Sequence, residues 1–464
     1  MAKKSVATVS SPVIKLTVDR EKKKTIDLSV TATGEVTIEG VEEPLQADGE
    51  SHEYTLTADE VVIRGAVTYF ACGSWIEGIT HLDLSGCPTL TSLDCTGLLV
   101  EELDLSKCVN LTELSVSYCK QLTSLDLSKL VNLTELSLDS CDQLTSLDLS
   151  KLVNLTELSL DSCDQLTSLD LSKLVNLTKL SIKRCDQLTS LDLSKLVNLT
   201  DLSIQSCDQL TSLDLSKLVN LTKLSIELCS QLASLDLSNL VNLTEFYIEH
   251  CSQLTSLDLP KLVNLTKLSI KKCKQLASLD LSKSVNLTEF SLWSCDQLAS
   301  FDFSKLVNLT SLSIGSFDQL ASLDLPKLVN LTSLYVGYSH QLTSLDLSKC
   351  VNLTKLSIDL CEQLASLDLS KCVNLTELSI YAAYQLTSLD FSKLVNLTQF
   401  SCSYCKRLKT IDLSGSKLLN TLDVSCCEYL EIIRCHTEAM PNLNPDSVEL
   451  PIIPDSIEMP VFKK

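Results

Sequence analysis

Residues 133–154 read LTELSLDSCDQLTSLDLSKLVN, and this stretch decides the fold. It divides into two halves of 11 residues, LTELSLDSCDQ (133–143) and LTSLDLSKLVN (144–154), and each begins LxxLxL. Alternation within LxL puts the leucines on one side of a short extended segment and the polar residues on the other. The Asp of the second half keeps the register outward from here. Asp104, Asp126, Asp148 and their successors to Asp412 recur every 22 residues, fifteen copies without an insertion. Asp83 begins an earlier copy one residue short, and a degenerate last turn runs to about Cys435.

One such turn cannot bury its own leucines, so successive turns must stack at about 4.8 Å, the spacing of neighbouring strands. The pattern predicts a β-rich solenoid: a right-handed leucine-rich-repeat coil of 22-residue repeats, with parallel strands and few helices. Fifteen turns would run on the order of 70 Å. Because both halves carry LxLxx, strand-like segments are expected on two sides of a flattened coil.

The composite pattern LxxLxLxxCxQLxxLDLSxxxN, over residues 79–435, resembles bacterial surface leucine-rich-repeat proteins, especially those common in Bacteroidetes. Most half-repeat Asn positions of that pattern hold Cys here. The resemblance implies a secreted or surface-anchored adhesion or host-interaction protein, with a protein or glycan on another cell or host surface as partner. The start, MAKKSVATVSSPVIKL, lacks the apolar run of a signal peptide.

The ends lie outside the register. VIKLTV (13–18), TIDLSV (25–30), EVTIEGV (35–41) and EYTLTADEVVI (53–63) alternate apolar and polar residues, which predicts a small N-terminal β cap over residues 1–78. From Val61 to Trp75 the chain is expected to merge into irregular first turns. Residues 436–464 hold five of the ten prolines, at Pro441, Pro445, Pro451, Pro454 and Pro460. Proline cannot donate to a ladder, so this segment is expected to cover the last edge as a cap or tail.

With 59 acidic and 38 basic side chains the net charge is −21, which disfavours phosphate backbones and anionic membranes. No apolar stretch is long enough for a membrane span. The five histidines, His52, His81, His250, His340 and His436, are scattered, and HExxH, GxSxG and Gly-rich phosphate loops are absent. The residues give no catalytic set, no cofactor and no metal site, and they point to a monomer.

Three columns invite a chemical reading. Cysteines recur from Cys119 to Cys295 and again at Cys361, Cys405 and Cys427, but Phe317, Ser339 and Ala383 fill the gaps. A column that accepts Phe and Ala is a packing column, not a ligand set, and so many thiols suit a reducing or anaerobic setting. The Asp column is followed at +3 by Lys in nearly every copy, which predicts a solvated charge ladder rather than a calcium site. The repeated NLT is formally a glycosylation sequon, and a ladder Asn bonding its neighbours' backbone explains it better.

The half SLDLSKLVN barely changes between copies, whereas the other half varies at its outward positions. One outward column runs Glu249, Lys271, Trp293, Gly315, Gly337, Asp359, Tyr381. Tyr247, His250, Trp293, Tyr335, Tyr338, Tyr381, Tyr384 and Tyr404 lie in the variable half, and exposed Tyr and Trp are common interface anchors. These eight form the expected partner-binding patch, with Gly315 and Gly337 leaving a shallow dip between Trp293 and Tyr381. The function expected is non-enzymatic binding. The alternatives are a structural or surface-coat repeat rod without a specific ligand and, less compatible with the charged columns, an ice- or mineral-binding surface.

Overall fold

The computed structural model of the chain describes residues 13–72, 78–259, 261–298, 302–325, 327–435 and 453–454. It divides into two units, residues 1–232 and 233–464. Each consists of β-solenoid turns at 22-residue spacing, and no helix occurs among the described residues.

The first unit opens with antiparallel strands: β1 (Val13–Val18), β2 (Thr25–Ala32), β3 (Thr37–Glu39), β4 (Asp48–Thr55), β5 (Glu60–Arg64) and β6 (Val67–Cys72). The expected strand within residues 53–63 is broken at 56–59 and contributes to both β4 and β5. β1 lies between β5 and β7 (Ile79–Asp83), and β3 pairs with the far side of β5. β2 lies between β4 and β6, and β6 turns from antiparallel to parallel pairing by accepting β8 (Ser92–Thr96). The alternating apolar residues Ile14, Leu16, Ile26, Leu28 and Ile63 close the core, each 0 or 1% exposed. Residues 73–77, where part of the irregular junction was expected, lie outside the described residues.

From Ser92 onward each turn of this unit adds one five-residue strand in register with the next, as Leu136 pairs with Leu158 and Leu158 with Leu180. Within each strand the second and fourth residues are buried and the others face outward. Leu160 is fully buried, so Leu160→Ala would cost about 3 kcal/mol. The second unit repeats the design from Glu245–Glu249 through Gln399–Ser403 to Thr421–Asp423.

The two sides of the turn are not equivalent: strands lie on both, as expected, in much of the second unit, but those of the constant side are shorter and fewer among the described residues. In the first unit the described pairing on the constant side is that of β7, which carries Asp83, with β1, and the bridge Glu102–Ser124 between later turns. In the second it consists of short strands, in pairs such as Ser322–Asp324 with Ser344–Asp346 and in one run from Ser388–Asp390 through Thr410–Leu413 to Ile432–Cys435. The cause is local. The Asp148 carboxylate accepts the Ser150 N–H at 2.8 Å, and the Leu152 and Leu155 N–H groups bond Leu149 and Leu152 carbonyls at 3.0 Å. These tight turns end the extended segment at the Asp and keep it short, and the same bond closes the strands Ser344–Asp346 and Ser388–Asp390 of the second unit.

Of the C-terminal segment 436–464, Ile453–Pro454 is described, and its backbone pairs parallel with Ile432–Cys435. The rest of the expected cap lies outside the described residues.

Candidate functional site

The variable side of the second unit presents four outward columns. Three come from the strands; the fourth is the residue just before each cysteine position. That residue is held at positive φ in every turn, including His250 (57°), Lys272 (53°), Tyr338 (52°) and Tyr404 (58°). Left-handed geometry costs a non-glycine residue about 1 kcal/mol or more. Its recurrence from Tyr118 to Cys426 makes it a property of the repeat rather than a mark of the site.

The structure brings three of the eight expected residues into one cluster. The Trp293 ring lies 5.3 Å from Tyr335 and 6.2 Å, edge to face, from Tyr338. The Trp293 indole N–H donates to Ser313 Oγ at 2.8 Å, and the Tyr335 hydroxyl donates to Asp359 Oδ2 at 2.9 Å. Burial, reinforced by Asp359, raises the Tyr335 pKa, so the phenol stays a donor. The other carboxylate oxygen, Asp359 Oδ1, is buried without a hydrogen-bond partner.

The expected dip at Gly315 and Gly337 is absent because aromatic rings cover it. A Cβ on Gly315 would meet the Gly337 carbonyl and lie 2.6 Å from the Trp293 ring. On Gly337 it would lie 2.7 Å from Tyr335 and 3.2 Å from Trp293. The two glycines are therefore a bed for flat rings, and both are buried.

The open space lies beside the indole instead. A recess of about 470 Å³ is lined by Glu249, Lys271 and Lys272 together with the edge-to-face rings of Trp293 and Tyr338. Serines 291, 294, 313 and 316 complete its lining. Lys272 Nζ is 3.3 Å from Glu249 and 2.8 Å from the His250 ring, whereas Lys271 makes no ion pair among the described residues.

The remaining expected residues do not join the cluster. Tyr247 donates to Glu245 at 3.1 Å, and burial with that bond pushes its pKa up to about 12. His250 is not part of the recess lining but contacts two residues that are, Lys272 at 2.8 Å and Glu249 at 3.5 Å. Tyr381 and Tyr404 form a separate edge-to-face pair at 5.3 Å, and Lys406 lies 5.5 Å above the Tyr384 ring. Tyr338, Tyr381 and Tyr404 are about 40% exposed, at 42, 41 and 40%.

The three periodic columns have structural roles. Cys141, Cys163 and Cys185 are fully buried, and burial pushes their thiols up to about 12. The Asp column is solvated as expected, and its carboxylates also cap the Ser turns. Asn154 and Asn176 donate to the Val131 and Val153 carbonyls of the preceding turns at 2.9 Å. Sequence reasoning missed those valines, which are 46 and 44% exposed. The only signal was the third-from-last apolar pair in SKLVN, where Leu and Val cannot both face inward. It also missed Glu249, Lys271 and Lys272 as neighbours of Trp293, although their places one and two turns earlier in the outward columns could have found them.

The pattern of the BspA type leucine-rich repeat region matches residues 100–211, 161–271, 226–336 and 333–440. No protein with a curated description matches significantly in sequence. Among solved structures, the chain is similar to the functional domain of InlJ from Listeria monocytogenes, which includes a cysteine ladder. The identity is 27% and the TM-score 0.51, over 77% of this chain and 70% of that one. Leucine-rich-repeat proteins from Bacteroides thetaiotaomicron and Bacteroides eggerthii share the fold, each with TM-score 0.51. Their identities are 15 and 13%, over 77 and 75% of this chain and 48 and 65% of theirs.

Proposed function

This chain belongs to the BspA-type leucine-rich-repeat family, and on that premise we propose that it is a non-enzymatic, monomeric binding module of the adhesion type, which engages a protein or glycan on another surface through its variable side. The observation that carries this reading is the aromatic cluster of Trp293, Tyr335 and Tyr338 beside an open, polar-lined recess. Rigid amphipathic rings give contact area at low entropic cost, and they occur here on the side that differs from copy to copy. The InlJ functional domain, with its own cysteine ladder, is consistent with this scaffold.

The test is binding of the reduced protein to arrayed host-surface proteins and glycans, beside the Trp293→Ala/Tyr338→Ala/Tyr381→Ala variant. A ligand bound by the parent and lost from the variant is the expected result. Full retention by the variant would sink the reading.

A second reading, a structural or surface-coat repeat, is favoured by the exposed valine column on the constant side. It predicts concentration-dependent self-association that does not depend on the aromatic residues.

A further inference from the structure

We propose that the recess beside Trp293 takes a carboxylate-bearing sugar, with Lys271 pairing its carboxylate and Trp293 and Tyr338 bounding its ring. This rests on the variable side being a binding face and names the ligand class for it.

The lining chooses between ligand classes. Its apolar parts are two flat aromatic walls, and the remaining surface is four serines and three charged side chains. A peptide anchor needs a deep apolar socket, which an edge-to-face pair of rings set among serines and charged side chains does not provide. A pyranose suits the lining on both counts. Its C–H face packs on an aromatic ring, and its hydroxyls exchange hydrogen bonds with serine hydroxyls that both donate and accept. The volume, about 470 Å³, lies in the range of small-ligand clefts, roughly 300–1,000 Å³.

The charges add the carboxylate. Lys272 is already engaged by Glu249 and His250, and their contacts fix it at the rim. Lys271 stands in register between Glu249 and Trp293 on the two adjoining strands; Glu249 bonds Lys272, and Lys271 has no ion pair among the described residues. An unpaired ammonium beside a half-buried indole favours an anion at that spot, and a charge-assisted hydrogen bond is among the stronger contacts available. The chain's net charge of −21 sets the opposite long-range preference. A polyanion would be repelled by the surface around the recess, whereas one carboxylate on an otherwise neutral sugar would not. Sialic and uronic acids share that chemistry.

The experiment uses the full chain and measures binding of 3′-sialyllactose and of a glucuronic-acid disaccharide by saturation-transfer NMR and calorimetry. Lactose and hexaglutamate serve as the neutral and peptide comparisons, with Lys271→Ala, Lys271→Arg and the remote Lys179→Ala as variants. We expect at least one acidic sugar to bind about tenfold or more tightly than lactose. Lys271→Ala should erase that margin, Lys271→Arg should keep most of it, and Lys179→Ala should change nothing. The two acidic sugars together tell a sialic from a uronic source. Equal binding of lactose, or a margin insensitive to Lys271→Ala, overturns the carboxylate assignment. Preference for hexaglutamate overturns the sugar in favour of an acidic peptide. If no sugar binds while the aromatic triple variant still loses an arrayed partner, the sugar is wrong and the binding face stands. If that variant loses nothing either, both fall.

Discussion

At the scale of single residues the most repeated device is the Asp that accepts the N–H of the Ser two positions on, as Asp126, Asp148 and Asp170 do at 2.8–2.9 Å. That backbone N–H is the main cause holding these carboxyls below the ordinary aspartate range. Their folded pKa values lie below the unfolded value of about 3.9, so the turns are fully stabilised above that pH. The stabilisation is lost as pH falls through the folded pKa and the acceptor is protonated. The melting temperature is therefore expected to drop steeply below about pH 4. Asp148→Asn keeps an acceptor oxygen without the titration, so this variant should show a slightly shallower acid limb than the parent. An acid limb unchanged by several such substitutions would remove the Asp column from the account. The Lys at +3 contributes only a secondary, solvent-screened attraction.

At the scale of the strand, Lys267–Lys271, Glu289–Trp293, Ser311–Gly315 and Ser333–Gly337 pair in register, so that Lys271, Trp293, Gly315 and Gly337 run side by side. Trp293 can lie flat because the next two positions lack a Cβ. Gly315→Ala would force a methyl into the Trp293 ring and the Gly337 carbonyl, and the backbone side of that clash cannot simply swing away. In a Trp75→Phe background, the substitution is expected to shift the Trp293 emission to the red and to cost about 1–3 kcal/mol from overpacking. An unshifted spectrum and unchanged stability would mean that the ring does not rest on Gly315. This arrangement shows where sequence reasoning stopped. Period, register and the inward leucines were legible because a single spacing dictates them. The aromatic positions were legible as outward-facing. Whether Gly315 left a hollow or held a ring depended on the χ angles of Trp293, which no spacing encodes. The weak strands of the constant side were misjudged for a similar reason. LxLxx is compatible with a ladder, and the Asp carboxylate that accepts the Ser N–H ends the extended segment after a few residues.

At the scale of the whole molecule, one sequence pattern is used for two purposes. In both units the leucines, cysteines, Asn and Thr bond or pack from turn to turn, as in the Thr156 N–H to Thr134 carbonyl contact at 2.8 Å and its counterpart from Thr288 to Thr266. These columns leave little freedom to vary. The outward positions bond from turn to turn only in particular copies, such as Lys179 with Glu157 and Tyr335 with Asp359, and in the second unit they hold the aromatic cluster, the recess and Lys271, which makes no ion pair among the described residues. The central claim is that binding uses this side and not the exposed valines of the constant side. Hydroxyl-radical footprinting of the full chain, with and without its bound partner, tests that claim directly. Protection of Trp293, Tyr338 and Tyr381 is expected, with Val263, Val307 and Val351 as reactive as in the free chain. Protection of the valines with the aromatic residues unchanged would contradict it.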